Sequence, residues 1–248
     1  MADFSYQLYS SRNFGSLNQT LKLVAECGYT QVEGFGGIYE DIELLLRSVE
    51  AHGLSMPTGH FSLDFVEQTP QKTLDIAKRM QMSAVLVPHI AAEHRPTDST
   101  GWAAFGARLA KASQPFLDAG LSFGWHNHDF EFALLDGSDK PLDLILGGSD
   151  DLVLEFDLAW AAVANEDPVS WIQKYQNRLV SVHVKDIAPK GDCLDEDGWA
   201  DVGHGILNWP LIMAAVRATN CQYFVMEHDN PNDDARFAAR SIVAAKTF

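Results

Sequence analysis

The chain has 248 residues, 46% of them apolar and 21% charged, the proportions of an ordinary globular protein, which argues against disorder. Its 34 acidic side chains outnumber 18 Lys and Arg, and the net charge of -16 argues against a nucleic-acid partner, since a phosphate-binding surface needs clustered cations. Cys27, Cys193 and Cys221 show no CxxC spacing, so neither a disulfide framework nor a thiolate metal site is suggested. No apolar run reaches the roughly 18 residues that span a bilayer. MADFSYQLYSSRNF also lacks the basic-then-apolar pattern of a signal peptide, so a soluble cytoplasmic protein with no membrane partner is expected.

Strand-like runs alternate with amphipathic helical stretches. Phe4–Ser10 alternates as a strand; Ser16–Cys27 places Leu17, Leu21, Val24 and Ala25 on one helical face, and Gly28 stands where a helix-terminating glycine belongs. There follow a strand over Thr30–Gly36, a helix over Asp41–Ala51, a strand over Leu54–Phe61 and a helix over Pro70–Met80. Next come a strand over Ser83–Ile90 and a long helix near Trp102–Ala119. The second half keeps the beat, with strands over Leu121–His128, Leu152–Trp160, Arg178–Asp186 and Gln222–Asp229. Its helices fit Pro141–Leu146, Pro168–Tyr175, Trp209–Thr219 and Asp233–Ala245.

About eight strands and eight helices in strict alternation predict parallel strands joined by right-handed crossovers. Closed on itself, that arrangement is a (β/α)8 TIM barrel of the α/β class, a single domain over residues 1–248. A doubly wound open sheet is disfavoured, because SSRNFGS after the first strand is not a GxGxxG phosphate loop. The longest irregular stretch, Ile187–Leu207, reads as a loop over the top of the barrel.

Ionisable residues gather at the predicted C-terminal strand ends, where such barrels carry their chemistry and where residues two apart share a side. The fifth strand ends His126-Asn127-His128, the sixth carries Glu155-Phe156-Asp157, the seventh His183-Val184-Lys185 and the eighth Glu227-His228-Asp229. Glu33, His60 and His89 stand at comparable places on earlier strands. Burying so many charges costs several kcal/mol each unless a cation or mutual pairing compensates. A divalent metal is the simplest compensation, and ligands of oxygen and nitrogen without thiolate suit Mn, Mg, Co, Fe or Zn. Asp157, His183 and Glu227, at the ends of consecutive strands, are the strongest candidates. Glu33, His60 and His89 read as either hydrogen-bonded wall residues or substrate contacts.

At these residues the sequence resembles the xylose isomerase-like barrel superfamily of sugar isomerases and epimerases, whose members include ketose 3-epimerases, inosose dehydratase and hydroxypyruvate isomerase. The strings YQLYSSRNFGSL, VEGFGG, GWHNHDFEF, LEFDLAWA, VHVKD, GHGILNW and VMEHD carry the resemblance along the whole chain, with HNHDFEF and VHVKD the more specific. It implies one divalent ion, Mn first and Mg, Co, Fe, Zn or Ni as alternatives, held by Asp157, His183 and Glu227. Many relatives have Glu-Asn-His on the fifth strand where this chain has His126-Asn127-His128. Either His126 replaces that Glu as the first ligand, or Glu131 or His128 reaches the ion.

The chemistry implied is isomerisation or epimerisation of a sugar, ketosugar or cyclitol, by proton abstraction next to a carbonyl through a metal-stabilised enediolate. Glu155, Glu131 and His128 are the candidate bases, and Lys185 is a candidate acid or oxyanion partner. The resemblance equally covers a lyase or dehydratase acting on a keto-cyclitol or 3-keto-glycoside. The alternative from another class is a non-catalytic sugar-binding protein. Trp125 and Trp160 are placed to stack on a sugar ring, with His60 and Glu33 as further substrate contacts. Arg95 and Lys190 are isolated, so no phosphate cradle is evident and a neutral substrate is favoured. Relatives of this kind are often dimers or tetramers, so a homo-oligomer fits the resemblance.

Overall fold

Ser16 and Gln19 cap each other's backbone to start the first helix, and Gly28, at φ 93°, ends it in the left-handed conformation that a side chain would strain. Similar signals set the other boundaries: Asp41, Asp98, Asp167, Asn208 and Asp233 each accept the backbone N–H groups that open a helix. The computed structural model describes residues 3–248 apart from 136 and 138. Its helices are α1 (Leu17–Cys27), α2 (Ile42–Ala51), α3 (Leu63–Gln68), α4 (Pro70–Arg79), α5 (Ser99–Asp118), α6 (Pro141–Leu146), α7 (Leu158–Val163), α8 (Pro168–Lys174), α9 (Trp209–Arg217) and α10 (Asp234–Ala245).

The strands are β1 (Phe4–Gln7), β2 (Gln31–Gly34), β3 (Ser55–His60), β4 (Ala84–Val87), β5 (Ser122–His126), β6 (Leu152–Asp157), β7 (Leu179–Val184), β8 (Asp186–Ile187), β9 (Trp199–Ala200) and β10 (Tyr223–Met226). Eight of them close a parallel barrel in the order β1-β10-β7-β6-β5-β4-β3-β2, while β8 and β9 form a short antiparallel pair at the start and middle of the segment that runs on to Leu207. This is the (β/α)8 barrel expected. No helix among the described residues is long and apolar enough to cross a membrane.

Register sets polar residues of neighbouring strands side by side. Gln7 lies beside Glu33, His126 beside Glu155, and Asp157 beside His183. Gly124 permits the close approach of β5 to β6, because a Cβ there would stand 1.8 Å from the Val153 carbonyl oxygen. Alternate residues face the helices: Phe123 and Phe156 are fully buried there, each contributing roughly 1.5–3 kcal/mol.

The structure moves several boundaries and adds two helices, α3 and α7. The first strand stops at Gln7, not Ser10, because the Gln7 side chain accepts the Tyr9 N–H and the chain turns into a 3-10 helix over Leu8–Ser11. The expected strand over Leu152–Trp160 ends at Asp157, whose carboxylate caps α7. The long helix begins at Ser99, with Asp98 as its cap, and α3 occupies a stretch left unassigned above.

Candidate functional site

Strand alternation sends His126 toward the barrel axis and Trp125 outward. His126 from β5, Asp157 from β6, His183 from β7 and Glu227 just after β10 each bring one donor atom within 4.8 Å of the others, and all four are buried. Asp157 Oδ1 accepts the Ala159 and Trp160 N–H groups at 2.9 Å, as the cap of α7. Its Oδ2 is buried without a hydrogen-bond partner, 3.9 Å from His183 Nδ1 and 3.7 Å from Lys185 Nζ. Glu227 Oε2 lies 2.9 Å from His183 Nδ1. Asn127, which sequence reasoning did not assign, ties the two strand ends together: its amide accepts the Asp157 N–H at 3.0 Å and donates to the Asp157 carbonyl at 3.2 Å.

Beneath this tetrad lies a second polar layer. Gln7 Nε2 donates to Glu33 Oε1 at 2.7 Å, and the same oxygen is 2.8 Å from His183 Nε2 and 3.2 Å from His60 Nε2. Glu155 Oε2 meets His60 Nε2 at 2.5 Å and lies 3.2 Å from both His126 Nδ1 and His183 Nε2. His60, His126, Glu155 and His183 thus form another group of clustered donors, sharing two residues with the first.

Burial, countered by Lys185 but aided by Glu227, pushes the Asp157 carboxyl up to about 7. Against the cost of burial, His183 and Lys185 hold Glu227 well below the usual range, and His183 and His60 do the same for Glu155. Burial works against a charge on His183, but Glu155 and Glu227 raise it well above 6.5. Burial and the neighbouring His183 bring His126 down to about 3, a neutral imidazole. Protons on Asp157 and His183 are the compensation the protein's own groups offer, and a divalent cation on the same atoms would displace them.

A cavity of about 570 Å³ opens above the tetrad, lined among others by His126 and Glu227, and by His60, His89, His128 and Trp160. A second, apolar cavity of about 540 Å³ adjoins it, sharing Trp160, Asp197 and Asp229. His128 is half-buried, its imidazole held well below 6.5 by desolvation and then by His126 and Lys185, so it is neutral. Lys185 is fully buried and ion-paired to Asp229, with Glu227 at 3.4 Å; despite burial these acids keep it charged. Its ammonium lies 4.1 Å from the Trp199 ring centre and 4.9 Å from that of Trp160.

Other candidates, like Lys185, are not part of the cavity lining. Trp125 packs edge-on against Phe105 in the core and donates its indole N–H to Glu131 at 2.9 Å. Glu131 spends its other oxygen on the His128 N–H, also at 2.9 Å, and burial lifts its carboxyl to about 8. It shapes the turn after β5 rather than reaching the tetrad, and Trp125 is wall, not a stacking surface. Glu33 and Glu155 lie below the cavity floor and do not line it. Sequence reasoning missed Tyr9, Arg12 and Asp197, which line the cavity, and gave the strand-end Asp229, which lines it too, no role. A lining cation was available in YSSRNF directly after the first strand, but nothing in the pattern marked it.

The tetrad fits a divalent cation. It offers two carboxylates and two imidazoles, the donor types of Mn, Fe, Co or Zn sites, together with a buried carboxylate oxygen that no protein donor satisfies. Such an arrangement can polarise an oxygen of a small molecule in the cavity.

The rhizopine catabolism protein MocC of Rhizobium meliloti is 23% identical over 197 residues, which are 72% of this chain and 59% of that longer protein. The chain therefore spans less than two-thirds of the length of the curated relative it matches. A solved sugar phosphate isomerase/epimerase from Parabacteroides distasonis superposes with a TM-score of 0.81 at 20% identity, covering 99% of this chain and 95% of that one. The IOLI protein, solved with a zinc atom, gives 0.75 at 13% identity, covering 99% and 95%. At these identities the two structures speak for the fold alone. A family model described as xylose isomerase-like TIM barrel matches residues 21–245, and the chain belongs to that family.

Proposed function

We propose that the chain is a divalent-metal-dependent isomerase or epimerase that moves a proton beside the carbonyl of a sugar, ketosugar or cyclitol. The observation that carries this reading is the buried tetrad of His126, Asp157, His183 and Glu227 under the larger cavity, with Asp157 Oδ2 lacking any donor. One divalent ion, Mn first among the candidates, would supply Lewis acidity toward a carbonyl oxygen and its neighbouring hydroxyl.

The remaining work falls to the protein's own groups. His128, neutral and at the cavity wall, takes the proton from the carbon and returns it. Lys185, fully buried behind the cavity wall and held by Asp229 and Glu227, places a fixed positive charge behind the site and keeps Glu227 ionised. Trp160 borders both cavities and helps to keep water from the reacting face. Glu155, engaged with three imidazoles and off the cavity, holds those rings instead of carrying the proton. The lining near the tetrad carries Asp197, Glu227 and Asp229 against the single arginine Arg12, which suits a neutral polyol better than a phosphate ester.

The test is exchange in deuterated water. Metal-reconstituted protein incubated with a panel of ketosugars and cyclitols incorporates deuterium at the carbon next to the carbonyl, followed by NMR, and His128→Asn lowers the rate about 10²–10⁴-fold. Loss of water from the substrate instead of exchange with return would reassign the reaction to a lyase. No exchange with any substrate, with metal bound, would leave a sugar-binding protein.

A further inference from the structure

His183 brings a carboxylate to each of its ring nitrogens, and the two sides differ. Nδ1 faces the tetrad, 2.9 Å from Glu227 Oε2 and 3.9 Å from Asp157 Oδ2. Nε2 faces the layer beneath, 2.8 Å from Glu33 Oε1 and 3.2 Å from Glu155 Oε2. A flipped ring would turn carbons toward both, so the network fixes its orientation. A neutral imidazole that binds a cation through one nitrogen keeps its proton on the other, and a buried N–H needs an acceptor.

We infer that Glu33 is that acceptor: a positioning residue that holds the Nε2–H of His183 and thereby presents Nδ1 to the divalent ion. The inference rests on the metal site proposed above and goes beyond it, giving Glu33 a role other than contact with substrate. Glu33 is fully buried and does not line the cavity. It is itself held from β1, where Gln7 donates its amide N–H to Glu33 Oε1 at 2.7 Å. The Gln7 amide has one orientation only, since its oxygen accepts the Tyr9 N–H at 3.0 Å. A fixed chain therefore runs from the Tyr9 backbone through Gln7 and Glu33 to His183, across two neighbouring strands whose register pairs Gln7 with Glu33.

The competing arrangement puts the ion one layer lower, among His60, His126, Glu155 and His183, with His183 bound through Nε2. The distances favour the upper layer. Two ligands at about 2.0–2.2 Å from a tetrahedral ion stand roughly 3.3 Å apart; His183 Nδ1 and Glu227 Oε2, at 2.9 Å, need to part less than His60 Nε2 and Glu155 Oε2, at 2.5 Å. Glu155 is also the weaker acceptor for His183, being engaged with His60 at that shorter distance.

The deciding experiment is nitrogen-15 NMR of histidine-labelled protein loaded with zinc, joined to zinc and manganese affinities measured by competition with a chromophoric chelator. The wild type should show His183 bound through Nδ1 with a protonated, slowly exchanging Nε2. Glu33→Gln keeps an oxygen to accept both N–H groups but loses the charge, and should weaken the metal about 10-fold; Glu33→Ala should weaken it about 100-fold. A merely structural role would lower the melting temperature of the metal-free variants and leave these affinities alone, which overturns the inference. Zinc bound through Nε2 overturns it as well, in favour of the lower layer, and the wild-type spectrum decides this even if Glu33→Ala does not fold. A wild type that binds no divalent ion would instead overturn the proposed function itself.

Discussion

Asp157 and Asp186 are both fully buried near the top of the barrel, yet their surroundings are opposite. Asp186 Oδ1 accepts the N–H groups of Ile187 and Leu207 at 2.9 and 3.2 Å. Its Oδ2 accepts those of Gly203 and Gly205 and the indole N–H of Trp209, at 2.9, 3.1 and 2.7 Å. Those donors saturate the carboxylate and pin both ends of the 187–207 loop to Asp186, the first residue of β8. Asp157 has donors on one oxygen only, and the other faces His183, Lys185 and Glu227 without a hydrogen bond. Burial of an acid is therefore no sign of a ligand by itself. The donor inventory around each oxygen marks Asp186 as an anchor and leaves Asp157 open to a cation.

The largest expected effect is on Asp157 itself. Asp157→Asn should abolish tight metal binding and, since Lewis-acid assistance is worth several kcal/mol, lower turnover roughly 10²–10⁴-fold. Glu227→Gln should behave alike, and both should keep the circular dichroism of the wild type; wild-type turnover in either would remove it from the ligand set. Asp186→Ala should do the reverse. Stripping acceptors from several buried N–H groups should cost about 3–5 kcal/mol by denaturant unfolding, while whatever folds keeps its metal affinity. A mild loss of stability there would mean the loop is held by other contacts.

Chelation should give a smaller change. An ion present at 100 times its Kd stabilises the native state by about 2.7 kcal/mol. EDTA should thus lower the melting temperature of the wild type, leave Asp157→Asn unmoved, and lower Asp186→Asn by as much as the wild type. An equal EDTA shift in wild type and Asp157→Asn would detach the stabilisation from this tetrad.

The smallest prediction concerns Glu131, a third buried acid. Burial raises its carboxyl from 4.5 to about 8 in the folded protein. Between those values the unfolded chain has released the proton that the folded chain retains, so stability falls as pH rises through that window, by a few kcal/mol at most. Glu131→Gln should flatten this slope in urea titrations from pH 5 to 8. An unchanged slope would assign the pH dependence to another group.

Much of the barrel was legible because apolar periodicity and capping residues agree along most of the chain, as Ser16, Gln19 and Gly28 do at α1. The strand ends were legible for the same reason: alternation set His126, Asp157 and His183 toward the axis. What escaped had a physical cause. LAWAA after Asp157 is apolar enough for a strand or a helix, and the cap made by Asp157 decides for the helix. Trp125 was mistaken for a substrate contact although it is adjacent to the inward His126 and must face the other way. Glu131 looked like a ligand because spacing does not reveal that Trp125 and the His128 backbone already claim its oxygens. Gln7 and Glu33 act across neighbouring strands, a relation visible only in the register.

The most direct test of the central claim is the metal content per chain of purified, undialysed protein, measured by elemental analysis for the wild type and Asp157→Asn side by side. The account predicts close to one equivalent of a divalent metal in the wild type and almost none in the variant, with Mn reconstitution restoring only the former. Equal content in both, or a wild type that stays empty after reconstitution, would contradict it.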